Sequence, residues 1–270
     1  MFRGTKKDYN IHGLHVEKWN LTLLRSVMNE SQSLKVVTII RDPIDHFISA
    51  WDYYQRQPGG MTLDKWVLNA NESKFDMGQR LLWDFGIPRA VLRNESLLLE
   101  EIERVGREFD LILLSEVFEK SIVLLKNLLC WKTSDMAFLT LNAINPAEKS
   151  RISEASRARL EKALKPDILF YEYFKRLFQD RLEEFSAPEM KTELHRLREA
   201  NEKVKSECVS RESVPNRKLP QESRLWGKAP LNGYKISTKK NANCTLYGLN
   251  VMTFVERYKA VQFSRNRHRI

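Results

Sequence analysis

The chain has 270 residues, 42% of them hydrophobic and 10% aromatic, with only 10 Gly and 9 Pro, a composition that excludes wholesale disorder and suits one large α/β domain or a core with an appendage. Its formal net charge of +10 calls for an anionic partner, which could be nucleic acid, an acidic membrane face, or a phosphorylated or sulfated small molecule. The basic residues are spread along the chain apart from Lys239-Lys240 and the tail Arg265–Arg269, and no paired Cys/His finger is present, so nucleic acid is not the expected partner.

Residues 16–29 place Trp19, Leu21, Leu23, Leu24, Val27 and Met28 on roughly one helical stripe, followed by a polar loop. Leu34–Ile40 is a short, β-branched, nearly all-apolar run, the pattern of a parallel strand buried on both faces. Asp42-Pro43 then starts a helix, with Pro suited to the first turn and Ile44, Phe47, Ile48 and Trp51 as its buried face. Gln55–Gly60 reads as a turn, and Leu63–Ala70, Met77–Phe85 and Glu95–Val105 as helices. Phe109–Ser115 repeats the buried-strand pattern, and Val117–Trp131 follows it as an amphipathic helix. Two strand-helix units in succession imply a parallel α/β sheet.

Glu148–Phe185 reads as two helices broken near Lys165-Pro166, with Ile168, Phe170, Tyr171, Phe174, Leu177 and Phe178 as an aromatic core stripe. Glu189–Ser206 is a charged helix with a thin apolar face. The expected organisation is a core over 1–206, a polar, Pro-rich linker or loop over 207–232, and a small C-terminal segment with a basic tail over 233–270.

The chemistry concentrates at Ile40-Arg41-Asp42-Pro43, with Ser49 eight residues beyond Arg41. Ligands of open α/β sheets sit at the carboxyl ends of strands, and a helix N-terminus offers free N–H groups to anions. Arg41 therefore stands where a phosphate would bind, able to grip it through two parallel hydrogen bonds, and Ser49 could add a hydroxyl. The plainer alternative is a surface Arg-Asp pair capping a helix, with Ser49 only a small packing residue. The Arg-to-Ser spacing, the preceding strand and the aromatic end Trp51-Asp-Tyr-Tyr54 favour the phosphate site.

That combination resembles the 3′-phosphate-binding motif of sulfotransferases that use 3′-phosphoadenosine 5′-phosphosulfate. The resemblance runs in order through Val37-Thr-Ile-Ile-Arg-Asp-Pro43, Leu81-Leu-Trp-Asp-Phe-Gly86, Asp110–Ser121, Val123–Trp131 including Cys130, Leu141-Asn142 and Gly233-Tyr-Lys, landmarks of the galactose and galactosylceramide 3-O-sulfotransferases. It implies a P-loop-NTPase-like sulfotransferase fold, a central parallel sheet flanked by helices with a helix-rich C-terminal half. It implies transfer of a sulfonate from 3′-phosphoadenosine 5′-phosphosulfate to the 3-hydroxyl of a β-galactose on a glycolipid or glycan, without a metal. Arg41 and Ser49 would bind the nucleotide. His15 would be the first choice of catalytic base and His12 the second, since the family carries histidines in the strand before the Arg-Asp-Pro motif; an ordinary hydrogen-bonded or exposed role for both is the competing reading. Glu116 and Lys126 could also reach the cleft, although a solvated helix face accounts for Lys126 more simply.

Two family features are missing from this sequence: the Lys/Thr-rich 5′-phosphosulfate loop with its strand, and the membrane anchor. Gly4-Thr-Lys-Lys has suitable residue types without the surrounding strand and helix. A lumenal Golgi membrane protein lacking its front end is the expectation, with a catalytically inactive sugar- or nucleotide-binding relative as the alternative. Five N-x-S/T sequons, at Asn20, Asn29, Asn71, Asn94 and Asn243, point to the secretory pathway. Cys130, Cys208 and Cys244 form no metal-ligand spacing, and an odd count leaves at least one thiol unpaired within the chain. Whether Cys208 pairs with Cys244, leaving Cys130 a buried thiol, is open at this level.

Overall fold

A computed structural model describes residues 18–27, 34–54, 60–71, 75, 80–141, 144, 148–225, 231–239, 241 and 243–267. A short helix α1 (Leu21–Val27), capped by the Asn20 side chain on the Leu23 N–H, precedes strand β1 (Val37–Ile40). Helices α2 (Pro43–Tyr54), α3 (Leu63–Asn69), α4 (Arg80–Asp84) and α5 (Glu95–Glu108) then carry the chain to β2 (Leu111–Leu114). The two strands pair in parallel, Val37 opposite Leu111 through Ile40 opposite Leu114. Asp110 starts the ladder: its N–H donates to the Val36 carbonyl, its carboxylate accepts the Val36 N–H, and Lys35 pairs with it.

The sheet is therefore a small parallel pair within a helix-rich α/β fold, narrower among the described residues than the central sheet expected above. The expectation that Leu34–Ile40 is buried on both faces also fails in part. Every residue of β2 is buried, whereas β1 buries Ile40 and leaves Ile39 44% exposed. The cause lies in the cover: α6 (Phe118–Leu129) and α8 (Lys165–Glu183) pack chiefly over β2.

Helix α5 begins at Asn94, whose side chain accepts the Leu97 N–H, and buries Leu98, Ile102 and Val105 at the helical spacing its sequence predicts. It packs on α8, whose Phe170, Phe174 and Phe178 complete the core around β2. Ser121 joins α6 to the sheet, its fully buried hydroxyl donating to the Leu114 carbonyl at 2.7 Å and accepting the Leu114 N–H at 3.0 Å. A second core gathers Ile44, Phe47, Ile48 and Trp51 of α2 with Leu63 and Val67 of α3, Phe75, and Leu160 of α7 (Glu154–Ala163). α7 and α8 break at Leu164, with Pro166 in the first turn of α8 where its missing N–H costs nothing.

Ser186 and Glu189 form a reciprocal capping box at the start of α9 (Ala187–Cys208), a 22-residue helix lying along α6. Past α9, within the segment read as linker or loop, Val209–Pro215 is strand β3, paired antiparallel and with register shifts to β4 (Asn232–Ile236). A disulfide joins Cys208 at the end of α9 to Cys244 in the short helix α10 (Cys244–Tyr247), while Cys130 is an exposed free thiol rather than a buried one. Leu225 and Leu231 fold back onto Tyr53 and Leu141. The last helix, α11 (Val251–Arg267), follows. Among the described residues no helix is long and apolar enough to cross a membrane.

Candidate active site

Arg41 leaves the carboxyl end of β1 and Pro43 opens α2, as the β-branched run and the Asp-Pro step dictate. Asp42 does not pair with Arg41. Its carboxylate turns back as the helix cap, accepting the N–H groups of Ile44 at 3.0 Å and Asp45 at 2.9 Å. The Asp42 N–H in turn donates to Glu116 Oε1 at 2.6 Å, and Pro43 has no N–H to give. The free backbone donors expected at this helix N-terminus are thus already used. An anion arriving here must be held by side chains.

Arg41 is half-buried, and no carboxylate among the described residues forms an ion pair with it. Ser49, also half-buried, lies about 9 Å along the helix axis from Pro43. Asp45 and Asp52 sit four residues before and three after Ser49, on the same side of α2. Asp52 is occupied, accepting the Ser150 N–H at 3.0 Å. Among the described residues of this strand end and helix start, Arg41 carries the guanidinium.

Glu116, two residues past β2, links the two strand ends from the surface. Besides the Asp42 N–H, its carboxylate accepts the Ser115 hydroxyl at 3.3 Å, and the hydroxyl of Tyr171 from α8 stands near it. Burial, followed by the negative charges of Glu116, Asp42 and Glu172, pushes the Tyr171 hydroxyl well above its ordinary range, so it stays protonated. Sequence periodicity placed Tyr171 in a core stripe without this role. The available signal was a Tyr among Phe residues, because a buried phenol needs a polar partner.

Lys126 goes elsewhere. Its ammonium pairs with Glu193 of α9, on the far side of α6, and holds that carboxylate below its usual range. A cleft of about 750 Å³ opens there, at the other end of β2 beside Asp110 and Leu111. Its charges are mutually satisfied, Arg181 with Glu184 and Arg196 with Glu193, and it is remote from the strand ends that carry Arg41 and Glu116. His12, His15 and Gly4-Thr-Lys-Lys lie outside the described residues, and no group of three or more potential metal ligands occurs among the described ones.

A parallel strand pair ending in an arginine at a helix start places a cation where ligands of open α/β sheets bind. The profile of the family described as galactose-3-O-sulfotransferase matches residues 2–241, and the chain belongs to that family. It is 29% identical to the human galactosylceramide sulfotransferase over 191 residues, 64% of this chain and 44% of that protein. Human galactose-3-O-sulfotransferase 2 is 26% identical over 86% of this chain and 62% of its own length. Bovine galactose-3-O-sulfotransferase 3 is 30% identical over 66% of this chain and 45% of its own. The chain thus spans about half the length of these relatives. No solved structure matches it.

Proposed function

We propose that this chain is the nucleotide- and acceptor-binding part of a sulfotransferase that moves a sulfonate from 3′-phosphoadenosine 5′-phosphosulfate to the 3-hydroxyl of a terminal β-galactose on a glycolipid or glycan, acting at the lumenal face of the Golgi membrane. The carrying observation is Arg41, set at the end of β1 with no carboxylate partner among the described residues, in a chain matching the family over residues 2–241. Its guanidinium grips the nucleotide 3′-phosphate bidentately and the Ser49 hydroxyl donates to the same group. Side chains suit this task because Asp42 and Glu116 have taken the backbone donors. The galactose 3-hydroxyl oxygen attacks sulfur as the bond from sulfur to the 5′-phosphate oxygen breaks; the hydroxyl proton passes to His15, or to His12 in its place. The chain holds the leaving nucleotide through Arg41, and its own residues require no metal.

Calorimetric titration of the chain with 3′-phosphoadenosine 5′-phosphate, beside 5′-AMP, tests the site. The 3′-phosphorylated nucleotide binds preferentially, and Arg41→Ala weakens it by about 2–4 kcal/mol. Equal affinity for the two nucleotides, or an Arg41→Ala variant that binds as well as its parent, would remove Arg41 from the site.

A further inference from the structure

Helix α11 is tied to the body only at its first turn. Asn250 caps it by accepting the Thr253 N–H at 2.9 Å, and is itself held by the carbonyls of Glu222 and Gln221. Beyond that turn no described element packs extensively along it. Its apolar side chains are accordingly uncovered: Val251 is 62% exposed, Met252 64%, Phe254 44% and Tyr258 40%, the last two stacked with ring centroids 6.4 Å apart. At 100° per residue, Val251, Phe254, Val255 and Tyr258 fall on one stripe. Arg257 and Lys259 then lie about 100° to either side of it, while Thr253, Ala260 and Glu256, which pairs with Lys259 at 3.7 Å across the exposed surface, lie behind.

We propose that this face of α11 docks on the surface of an anionic lipid bilayer. The stripe would sit at the headgroup boundary with Tyr258 as its amphipathic member, and Arg257 and Lys259 would extend their stems sideways to lipid phosphates. Cations at equal angles on both flanks match a planar anionic surface, whereas a protein groove would close over at least one flank. Nucleic acid would meet the same cations but would leave the exposed Val251, Phe254 and Tyr258 facing phosphates. The sequence continues the basic character through Arg265, Arg267 and Arg269. This docking is independent of the nucleotide site and adds a contact beyond any anchor.

The test is co-sedimentation of the 270-residue chain with phosphatidylcholine vesicles, with and without phosphatidylserine. Binding is expected on the anionic vesicles at least about tenfold above the neutral ones and falling with salt, since each basic residue near such a surface adds attraction. Phe254→Ser and the pair Arg257→Glu with Lys259→Glu each reduce it by roughly tenfold, with unchanged melting curves because both sites are exposed. Absence of binding to anionic vesicles, or loss on charge reversal with none on Phe254→Ser, overturns the proposal. So does preferential retention on duplex DNA, or a concentration-dependent dimer that Phe254→Ser abolishes.

Discussion

Glu116 accepts the Asp42 N–H across 74 residues of sequence, at 2.6 Å, and so ties the end of β2 to the start of α2. The same carboxylate accepts from Ser115 and stands near the Tyr171 hydroxyl of α8, so three elements meet around it. Hydrogen bonds to a charged acceptor are worth about 1.5–3 kcal/mol. Glu116→Ala should therefore lower stability by about 1–3 kcal/mol in denaturant unfolding, and Glu116→Gln by less. A double-mutant cycle with Tyr171→Phe should return a coupling of at least about 0.5 kcal/mol. Strictly additive losses would show that the two side chains act separately.

Asp167 is fully buried in the first turn of α8, and neither carboxyl oxygen meets hydrogen-bond geometry with any partner. Burial pushes its pKa up to about 8, and the nearby N–H dipoles of Leu82 and of Asp167 itself oppose this only weakly. The folded state therefore keeps a proton that the unfolded chain releases near pH 4. Between those two values the folded state binds more protons, so this residue's contribution to stability falls as pH rises from about 4 to about 8. Asp167→Asn should unfold at nearly the parent's denaturant midpoint near pH 4 and be more stable by roughly 3–5 kcal/mol near pH 8. The same difference at both pH values would mean that Asp167 does not titrate in this window.

The disulfide between Cys208 and Cys244 closes a loop of 36 residues that holds the β3–β4 hairpin. Loop-closure entropy for that length is about 4 kcal/mol in the unfolded chain. Cys208→Ala with Cys244→Ala should lower stability by about 2–4 kcal/mol and leave Cys130 as the sole thiol. Thiol titration of the unfolded, unreduced chain should count one free group; three would mean that no bridge forms.

α4 and α6 end in the same way, the residue after the last turn adopting positive φ while the next N–H reaches back to Leu82 in one case and Lys126 in the other. In α4 that residue is Gly86, and a Cβ there would stand 2.8 Å from the Trp19 carbonyl oxygen. In α6 it is Cys130, at φ 52°. Opposite effects follow: Gly86→Ala should destabilise by about 1–2 kcal/mol or more, and Cys130→Gly should stabilise by up to about 1 kcal/mol. Melting curves of the two single variants check both signs.

Local patterning determined a large share of this protein. The β-branched run ending at Ile40, the Asp-Pro step into α2, the 3.6-residue spacing of Leu98, Ile102 and Val105, and the break at Lys165-Pro166 each act over one or two turns, so neighbouring residues suffice to specify them. The place of Arg41 at a strand end was legible for the same reason, since strand end and helix start adjoin in sequence. Pairings between distant segments were decided only in three dimensions. The amide of Asp42 is taken by a carboxylate 74 residues away, Lys126 is drawn to Glu193 67 residues on, and β3 finds β4 through a bulged register beside a disulfide. None of these leaves a periodic trace, because their partners are selected by packing of whole helices on β2 rather than by neighbours in the chain. The sequence by itself specified which residue types stand at the strand ends, and tertiary packing decided which of their donors and charges were left for a ligand.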